Sequence, residues 1–275
     1  MKGNRRPVAT TNNGESGRRR ESFDAVAEDY NVYRSPHPQA VVDAVIALSH
    51  LHNGSRVLEI GCGTGQLSVP LAQRGVDLLA IELGPRLAAL ARRNLERFPN
   101  AHVETSSFEA WPLPSQQFDA VVSASAFHWL APDLRFAKSA EALHPGGFLT
   151  ILHVHHVQGG TDGFFADTQP YYLKWGLSGD LSFQLPTPDN VPTIYPELDH
   201  LPAFRAVVRR HLEIPMRYST ASYIGWLRTD SLVNSLDDTS RRGFLQDIAR
   251  LIESKYNGEI VRNYVYEVIV AQRAS

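Results

Sequence analysis

The run Val57-Leu58-Glu59-Ile60-Gly61-Cys62-Gly63-Thr64-Gly65 carries the strongest chemical signal in the chain. Four strand-forming residues lead into a glycine-rich turn, and Gln66-Leu67-Ser68-Val69 then opens a helical pattern. Such a turn lets the backbone approach a ligand that any side chain would push away. The amides that open the following helix face outward with partial positive charge. The unit predicts a small, partly anionic ligand at the carboxyl end of a buried strand.

Two carboxylates narrow the ligand. Glu59 precedes the first glycine by two residues, where it would repel a pyrophosphate and suit a cationic ammonium. The third glycine of the dinucleotide fingerprint is also missing, because Gln66 occupies its place. Glu82 follows Gly61 by 21 residues and ends the next strand pattern. A carboxylate there can accept both hydroxyls of a ribose. Dinucleotide proteins share that acid, so Glu82 indicates a ribose, and Glu59 with the glycine spacing chooses between ligands.

Histidines supply the other candidates. His128 follows the fourth predicted strand, on the edge where open α/β sheets bind ligands, and is the first candidate for a polar catalytic residue. Its alternative role is to bond a neighbouring loop and shape the pocket. His153, His155 and His156 cluster at the end of the fifth strand. Alternation puts His153 and His155 on one face and His156 on the other. His155 or His156 could line a substrate pocket. No carboxylate pattern supports a metal there, and none is expected. Tyr30 falls at helical spacing and is either a core aromatic or a contact to ligand. Cys62, the one cysteine, reads as a small filler in the turn. Arg34, Arg135, Arg205 and Arg217 could meet a polyacid, but nothing in the sequence gathers them.

These residues need a scaffold, and the apolar periodicities supply one. Helices are predicted over 22–33 and 39–51, with Pro36 and Pro38 between them. Strand and helix patterns then alternate: strands over 56–60, 77–82, 102–106, 118–123 and 148–154, helices over 66–74, 85–98 and 132–143. Gly75 and Pro145-Gly146-Gly147 act as stops. The expected fold class is α/β: a doubly wound, mostly parallel seven-stranded sheet with helices on both faces. The rhythm breaks over 156–204, a stretch rich in Gly, Pro and aromatic residues, which reads as a substrate cap inserted after the fifth strand. A strand over 207–216, helices over 220–228 and 239–255, and a strand over 259–272 complete the domain. The domain thus spans 22–155 and 205–275, with 22–51 as N-terminal lid helices.

Composition sets limits. A chain of 275 residues with net charge −2 and 43% hydrophobic residues suits a soluble α/β globule. It offers no bulk electrostatic case for nucleic acid or anionic membrane. One cysteine excludes intrachain disulfides and a four-cysteine zinc site. No apolar run reaches the ~18 residues of a spanning helix. Residues 1–21 read as a solvated, disordered tail. A cytoplasmic setting and a small-molecule substrate follow as expectations, with the N-terminal helices as the surface through which a homo-oligomer could form.

The segment 57–65, together with Ala80-Ile81-Glu82 and Phe118-Asp119-Ala120-Val121-Val122, resembles the class I S-adenosylmethionine-dependent methyltransferases. The resemblance is closest to the branch holding the ubiquinone/menaquinone C-methyltransferases and trans-aconitate methyltransferase. Phe23-Asp24-Ala25-Val26-Ala27-Glu28-Asp29-Tyr30, Phe127-His128-Trp129 and Ala142-Leu143-His144-Pro145-Gly146-Gly147 also resemble it. The resemblance covers about 22–155, and 205–272 more loosely.

It implies S-adenosyl-L-methionine as cofactor. Gly61, Gly63 and Gly65 would allow its approach, Glu82 would hold the ribose, and Leu83 would pack on the adenine. Ser107, standing where the family commonly has an acid, and the Phe108 amide would read the adenine edge. Ser123 would face the methionine half. Tyr30, Tyr33 and Arg34 would close over the ligand. Glu59 would meet the ammonium. Methyl transfer needs alignment and exclusion of water, and a base only when the nucleophile must lose a proton. The candidates for that catalytic work are His128, Tyr30 and His155. The aromatic cap favours a bulky, partly apolar acceptor of natural-product or quinone type. The alternatives are carboxyl O-methylation of a small acid and a non-catalytic relative that binds the cofactor.

Overall fold

The computed structural model describes residues 22–177 and 183–275; the predicted tail at 1–21 lies outside them. Seven strands form one sheet: β1 (Arg56–Ile60), β2 (Asp77–Glu82), β3 (Ala101–Thr105), β4 (Phe118–Ala124), β5 (Leu143–Gly160), β6 (Phe204–Ser219) and β7 (Glu259–Arg273). Their spatial order is β3-β2-β1-β4-β5-β7-β6. The first five pair in parallel, and β7 runs antiparallel between β5 and β6. The order reverses between β1 and β4, which places a crevice above the carboxyl end of β1.

Strand alternation builds a core on each face. Leu58, Ile60, Val121, Leu149, Ile151 and Ile269 pack on one side with Phe127, Phe136 and Tyr195. Val57, Leu78, Ala120, Val122, Leu152 and Val268 pack on the other. Helix α1 (Ala27–Tyr33) packs on other helices, α2 (Gln39–Leu48) lies against β7 and β6, and α3 (Ser68–Gln73), α4 (Pro85–Leu95) and α5 (Arg135–Ala142) cover the parallel half. Helices α6 (Phe164–Lys174), α7 (Thr220–Arg228) and α8 (Asp238–Tyr256) enclose a third cluster around Phe164, Tyr223, Leu227, Phe244 and Ile252.

The boundaries of β5, β6 and the insertion differ from the sequence reading. β5 starts at Leu143, because Phe118 pairs with Leu143 and Ala120 with Phe148, leaving 144–147 as a bulge. It runs on to Gly160, because β7 extends to Glu259 and provides a partner for His155, His156 and Val157. The insertion after the fifth strand therefore begins near 161. β6 alternates half-buried and exposed residues and carries Arg205, Arg209, Arg210, His211 and Glu213. Charges of this kind protect an edge strand from pairing with other chains.

The N-terminal segment is tied to the sheet by a long-range cap. Asp24 Oδ1 accepts hydrogen bonds from the Arg86 and Leu87 amides at 2.7 and 3.0 Å. It thereby satisfies two of the open donors at the start of α4. Among the described residues no helix is long and apolar enough to cross a membrane.

Candidate active site

The glycine turn leaves β1 in backbone conformations that explain its composition. Gly61 and Gly63 have φ of +70° and +59°. A Cβ on Gly61 would lie 2.5 Å from Ala126 Cβ, and one on Gly63 would lie 3.3 Å from the Tyr30 ring. The backbone is thus pressed between the loop after β4 and Tyr30. Gln66, in the third-glycine position, closes the turn. Its Nε2 donates to Thr64 Oγ1 at 2.7 Å and to the Arg34 carbonyl at 3.2 Å. That side chain fills the end of the turn and joins it to the chain leaving α1.

Glu82, from the end of β2, bridges two turns. Its Oε2 accepts from the Gly63 amide at 2.8 Å and its Oε1 from the Gly84 amide at 2.9 Å. Glu59 is 1% exposed and accepts from Ser68 Oγ at 2.6 Å. Burial pushes its carboxyl up to about 8, with Glu82 adding to the shift and the Ser68 bond opposing it. Burial also raises the Cys62 thiol, which keeps it protonated and unreactive.

Two clefts meet on this turn. The first encloses about 650 Å³ and is walled by Phe23, Leu83, Leu87, Ser106, Phe108 and Trp129, with Glu82 at its side. The second, of about 1030 Å³, lies between Tyr33, Arg34 and His37, the β5–β7–β6 face, and α7. Tyr30, Gly61, Gly63, Ala124 and Ser125 line both. Ser125 holds φ +55°, a conformation that costs a non-glycine residue and recurs at functional sites.

The floor of the second cleft is aromatic. Val154, His156, Met216, Tyr218, Tyr264 and Tyr266 project from the long antiparallel strands, and Trp226 from α7. Tyr218 and Tyr264 hydroxyls lie 3.2 Å apart. Arg34 sits 4.6 Å from the Trp226 ring and donates to Thr229 Oγ1 at 2.6 Å. Burial lowers His37 to about 4, and lowers His156 to about 3 with Arg262 and Arg34 adding to the effect. Both imidazoles are therefore neutral near pH 7.

The structure brings together most of the residues that the sequence nominated. Tyr30, Arg34, Glu59, Gly61, Gly63, Glu82, Leu83 and Phe108 line one cleft or the other. Others lie elsewhere. Gly65 (φ +103°) only shapes the turn, since nothing crowds its missing Cβ closer than 3.5 Å. Ser107 is used locally, its Oγ accepting from the Ala110 amide at 3.2 Å, and Ser106 lines the cleft instead. Ser123 is fully buried and donates to the Ile60 carbonyl at 3.0 Å, holding β4 to β1.

Two catalytic candidates are displaced. His128 sits in a short 3₁₀ turn with Phe127 in the core and Trp129 toward the first cleft. Three residues per turn leave the middle side chain outward, and His128 is exposed. His155 points away from the second cleft because it alternates with Val154 and His156. Its Nε2 lies 2.7 Å from Glu267 Oε2 in a buried pair. Tyr30 remains in place, but burial raises its phenol above the usual range, which leaves it a poor base.

Sequence reading missed Phe23, Ser125, Trp129, Met216, Tyr218, Trp226, Tyr264 and Tyr266 as cleft residues. Tyr264 and Tyr266 fall within the strand predicted over 259–272; only the pairing of β7 with β5 and β6 brings them to the cleft. The cap aromatics mostly build satellite core. Phe164 packs among α6–α8, and Tyr195 packs with Phe127 and Phe136. Among the described residues there is no group of three or more His, Cys, Asp or Glu placed to hold a metal.

Residues 57–147 match the family model described as a methyltransferase domain. The chain is similar to a methyltransferase of Mycobacterium bovis, 30% identical over 131 residues, covering 48% of this chain and 51% of that one. It is similar to malonyl-[acyl-carrier protein] O-methyltransferase of Geobacter sulfurreducens, 32% identical over 137 residues, with 48% and 51% covered. It is also similar to demethylmenaquinone methyltransferase of Tropheryma whipplei, 29% identical over 125 residues, with 45% and 50% covered. The chain spans about half the length of the curated relatives it matches. Among solved structures, one from Anaeromyxobacter dehalogenans, named as a type II methyltransferase, shares the fold with a TM-score of 0.60. It is 20% identical, over 88% of this chain and 98% of that one. The matched residues run from the strand that enters the glycine turn to the stop before the fifth strand's apolar run, and over this segment the chain is similar to methyltransferases.

Proposed function

We propose that this protein transfers the methyl group of S-adenosylmethionine to a small, partly apolar organic acceptor of natural-product or quinone type. The observation that carries this reading is the meeting of two clefts on one glycine turn, with Tyr30, Gly61, Gly63, Ala124 and Ser125 shared between them. A nucleoside in the first cleft would reach past these residues to Glu59 and Arg34 in the second, where an acceptor would meet it.

The residues fit the cofactor. Leu83, Ser106 and Phe108 form a slot for a planar base, and Glu82 stands where ribose hydroxyls would lie. Glu59 and Arg34 offer complementary charge to the ammonium and carboxylate of an amino-acid tail. When bound, the sulfonium supplies a methyl group that is already activated. The protein then needs to align the acceptor and exclude water. Tyr30 covers the Gly63 backbone and separates the clefts. Tyr218, Trp226, Tyr264 and Tyr266 give the acceptor an apolar floor whose ring faces favour developing positive charge. His156, neutral at pH 7, can orient the acceptor by donating a hydrogen bond. Phe165, Phe183 and Leu185 of the insertion wall a neighbouring cavity that shares Val154, His156 and Trp226 with this cleft. A small-molecule acceptor suits these enclosed walls, and a net charge of −2 gives no pull toward nucleic acid or membrane.

Separate calorimetric titrations with S-adenosylhomocysteine and NAD test the cofactor. Binding of the first and not the second is expected; the reverse overturns the reading. An acceptor panel scored by S-adenosylhomocysteine release tests transfer. Methylation of small polyacids alone would favour carboxyl O-methylation instead. Cofactor binding with no turnover on any acceptor would favour a non-catalytic relative.

A further inference from the structure

We infer that the cavity beneath the cap contains an oxyanion subsite centred on Arg262, and that the acceptor is an organic acid or phosphomonoester with an apolar body. This rests on the methyltransferase reading above and specifies its substrate class.

Arg262 projects from β7 and is 8% exposed. Its Nη1 donates to the Tyr223 hydroxyl at 3.0 Å and its Nη2 to His156 Nδ1 at 3.4 Å. Its guanidinium lies 6.0 and 5.8 Å from the Phe164 and Phe165 rings. All these partners are neutral. Among the described residues, no carboxylate lies within ion-pair distance of it. Other arginines at the cap differ: Arg135 pairs with Glu197 and Arg209 with Asp199, each at 2.8 Å. A guanidinium cannot shed its charge, and a buried charge is costly unless paired. A cation kept inside against neutral groups is arranged to meet an anion from outside the chain.

The surroundings support this. Arg262 lines a cavity of about 1200 Å³ along the free edge of β5, beyond the point where β4 ends. Phe165, Phe183, Leu185 and Trp226 give it apolar walls. Its acid, Asp230, is already engaged by the Leu232 and Val233 amides at 2.9 and 3.1 Å. Asp162 lies in the adjoining cavity, which Arg262 also lines. With Nδ1 of His156 accepting from Arg262, the ring proton falls on Nε2, so the imidazole adds a second donor. Val154, His156 and Trp226 belong to both this cavity and the aromatic cleft. An acceptor anchored at Arg262 can therefore extend its apolar body toward the glycine turn. Of the arginines that the sequence offered, Arg217 pairs with Glu259, Arg205 with Gln272 and Arg135 with Glu197, while Arg34 lines the aromatic cleft and is held by Thr229.

The test is calorimetry on the full chain saturated with S-adenosylhomocysteine. The probes are 3-phenylpropionate, octanoate and phenyl phosphate, each against a neutral partner: the two carboxamides and phenol. The acids should bind at least about tenfold more tightly, the value of one charge-assisted hydrogen bond. Arg262→Gln should erase that preference with S-adenosylhomocysteine affinity unchanged, and Arg262→Lys should recover part of it. The phosphate arm decides which oxyanion fits better. Equal binding of acids and neutral partners, or a preference that survives Arg262→Gln, overturns the inference. If Arg262→Gln does not fold, Tyr223→Phe, which frees the guanidinium from its hydroxyl anchor, should reduce the preference several-fold; no change overturns it. Failure of S-adenosylhomocysteine to bind in the first step overturns the methyltransferase reading itself, and is read separately.

Discussion

Glu59 accepts a 2.6 Å hydrogen bond from Ser68 Oγ, so the acid at the end of β1 and the first residue of α3 grip each other beneath the glycine turn. The carboxyl is buried and raised to about 8. Between the ordinary range near about 4.3 and about 8, the folded state holds a proton that the unfolded state has lost. Folding then takes up a proton, and stability falls as pH rises through that window. Glu59→Gln should flatten this part of the stability curve, as read by denaturant melts at several pH values. A cationic ammonium placed beside Glu59 would favour its ionised form. Cofactor binding near pH 7 should then release a proton. Calorimetry in buffers of different ionisation enthalpy measures this release, which should vanish in Glu59→Gln as affinity drops about tenfold or more.

The glycines of the turn should fail for different reasons. Gly61→Ala meets both a left-handed backbone and Ala126 at 2.5 Å. Gly65→Ala meets only the backbone conformation, since its nearest neighbour is at 3.5 Å. The second should cost about 1–2 kcal/mol, and the first clearly more because overpacking adds to it. Thermal melts should order the wild type above Gly65→Ala, and Gly65→Ala above Gly61→Ala.

The lid can be loosened without touching a cleft. Asp24→Ala removes the side-chain cap from α4 and should cost about 1 kcal/mol. Deleting residues 1–34 removes Phe23, Tyr30 and Arg34 from the cleft walls. It should weaken cofactor binding far more than deleting 1–18. Equal affinity in the two truncations would show that the lid packs without holding ligand.

His156 and His128 separate the geometry from the motif. His128 is exposed beside Trp129, and its replacement by Ala should change turnover less than about threefold. His156→Ala removes a neutral imidazole from the second cleft and should lower kcat/KM by about 10²-fold, the loss that misplacing a reactant can cause. A reversed order in steady-state kinetics would return the catalytic role to the loop after β4.

How much of this was readable in advance depended on distance along the chain. The turn at 61–65, the acid ending β2 and the parallel strands carry their causes locally. Left-handed glycine, an apolar strand run and a fixed carboxylate spacing need only a few neighbouring residues to be recognised. The registers of 143–160 and 204–219 were less legible, because their lengths depend on how far β7 extends.

The sequence by itself determined the fold class, the glycine turn and the two carboxylates around it, since each follows from backbone sterics or strand periodicity over a few residues. Only the tertiary structure decided which histidine faces the cleft, and that Arg262 meets His156 across 106 positions. Those outcomes come from β7 entering antiparallel between β5 and β6, and a side chain's partners across a sheet are set by register between distant strands.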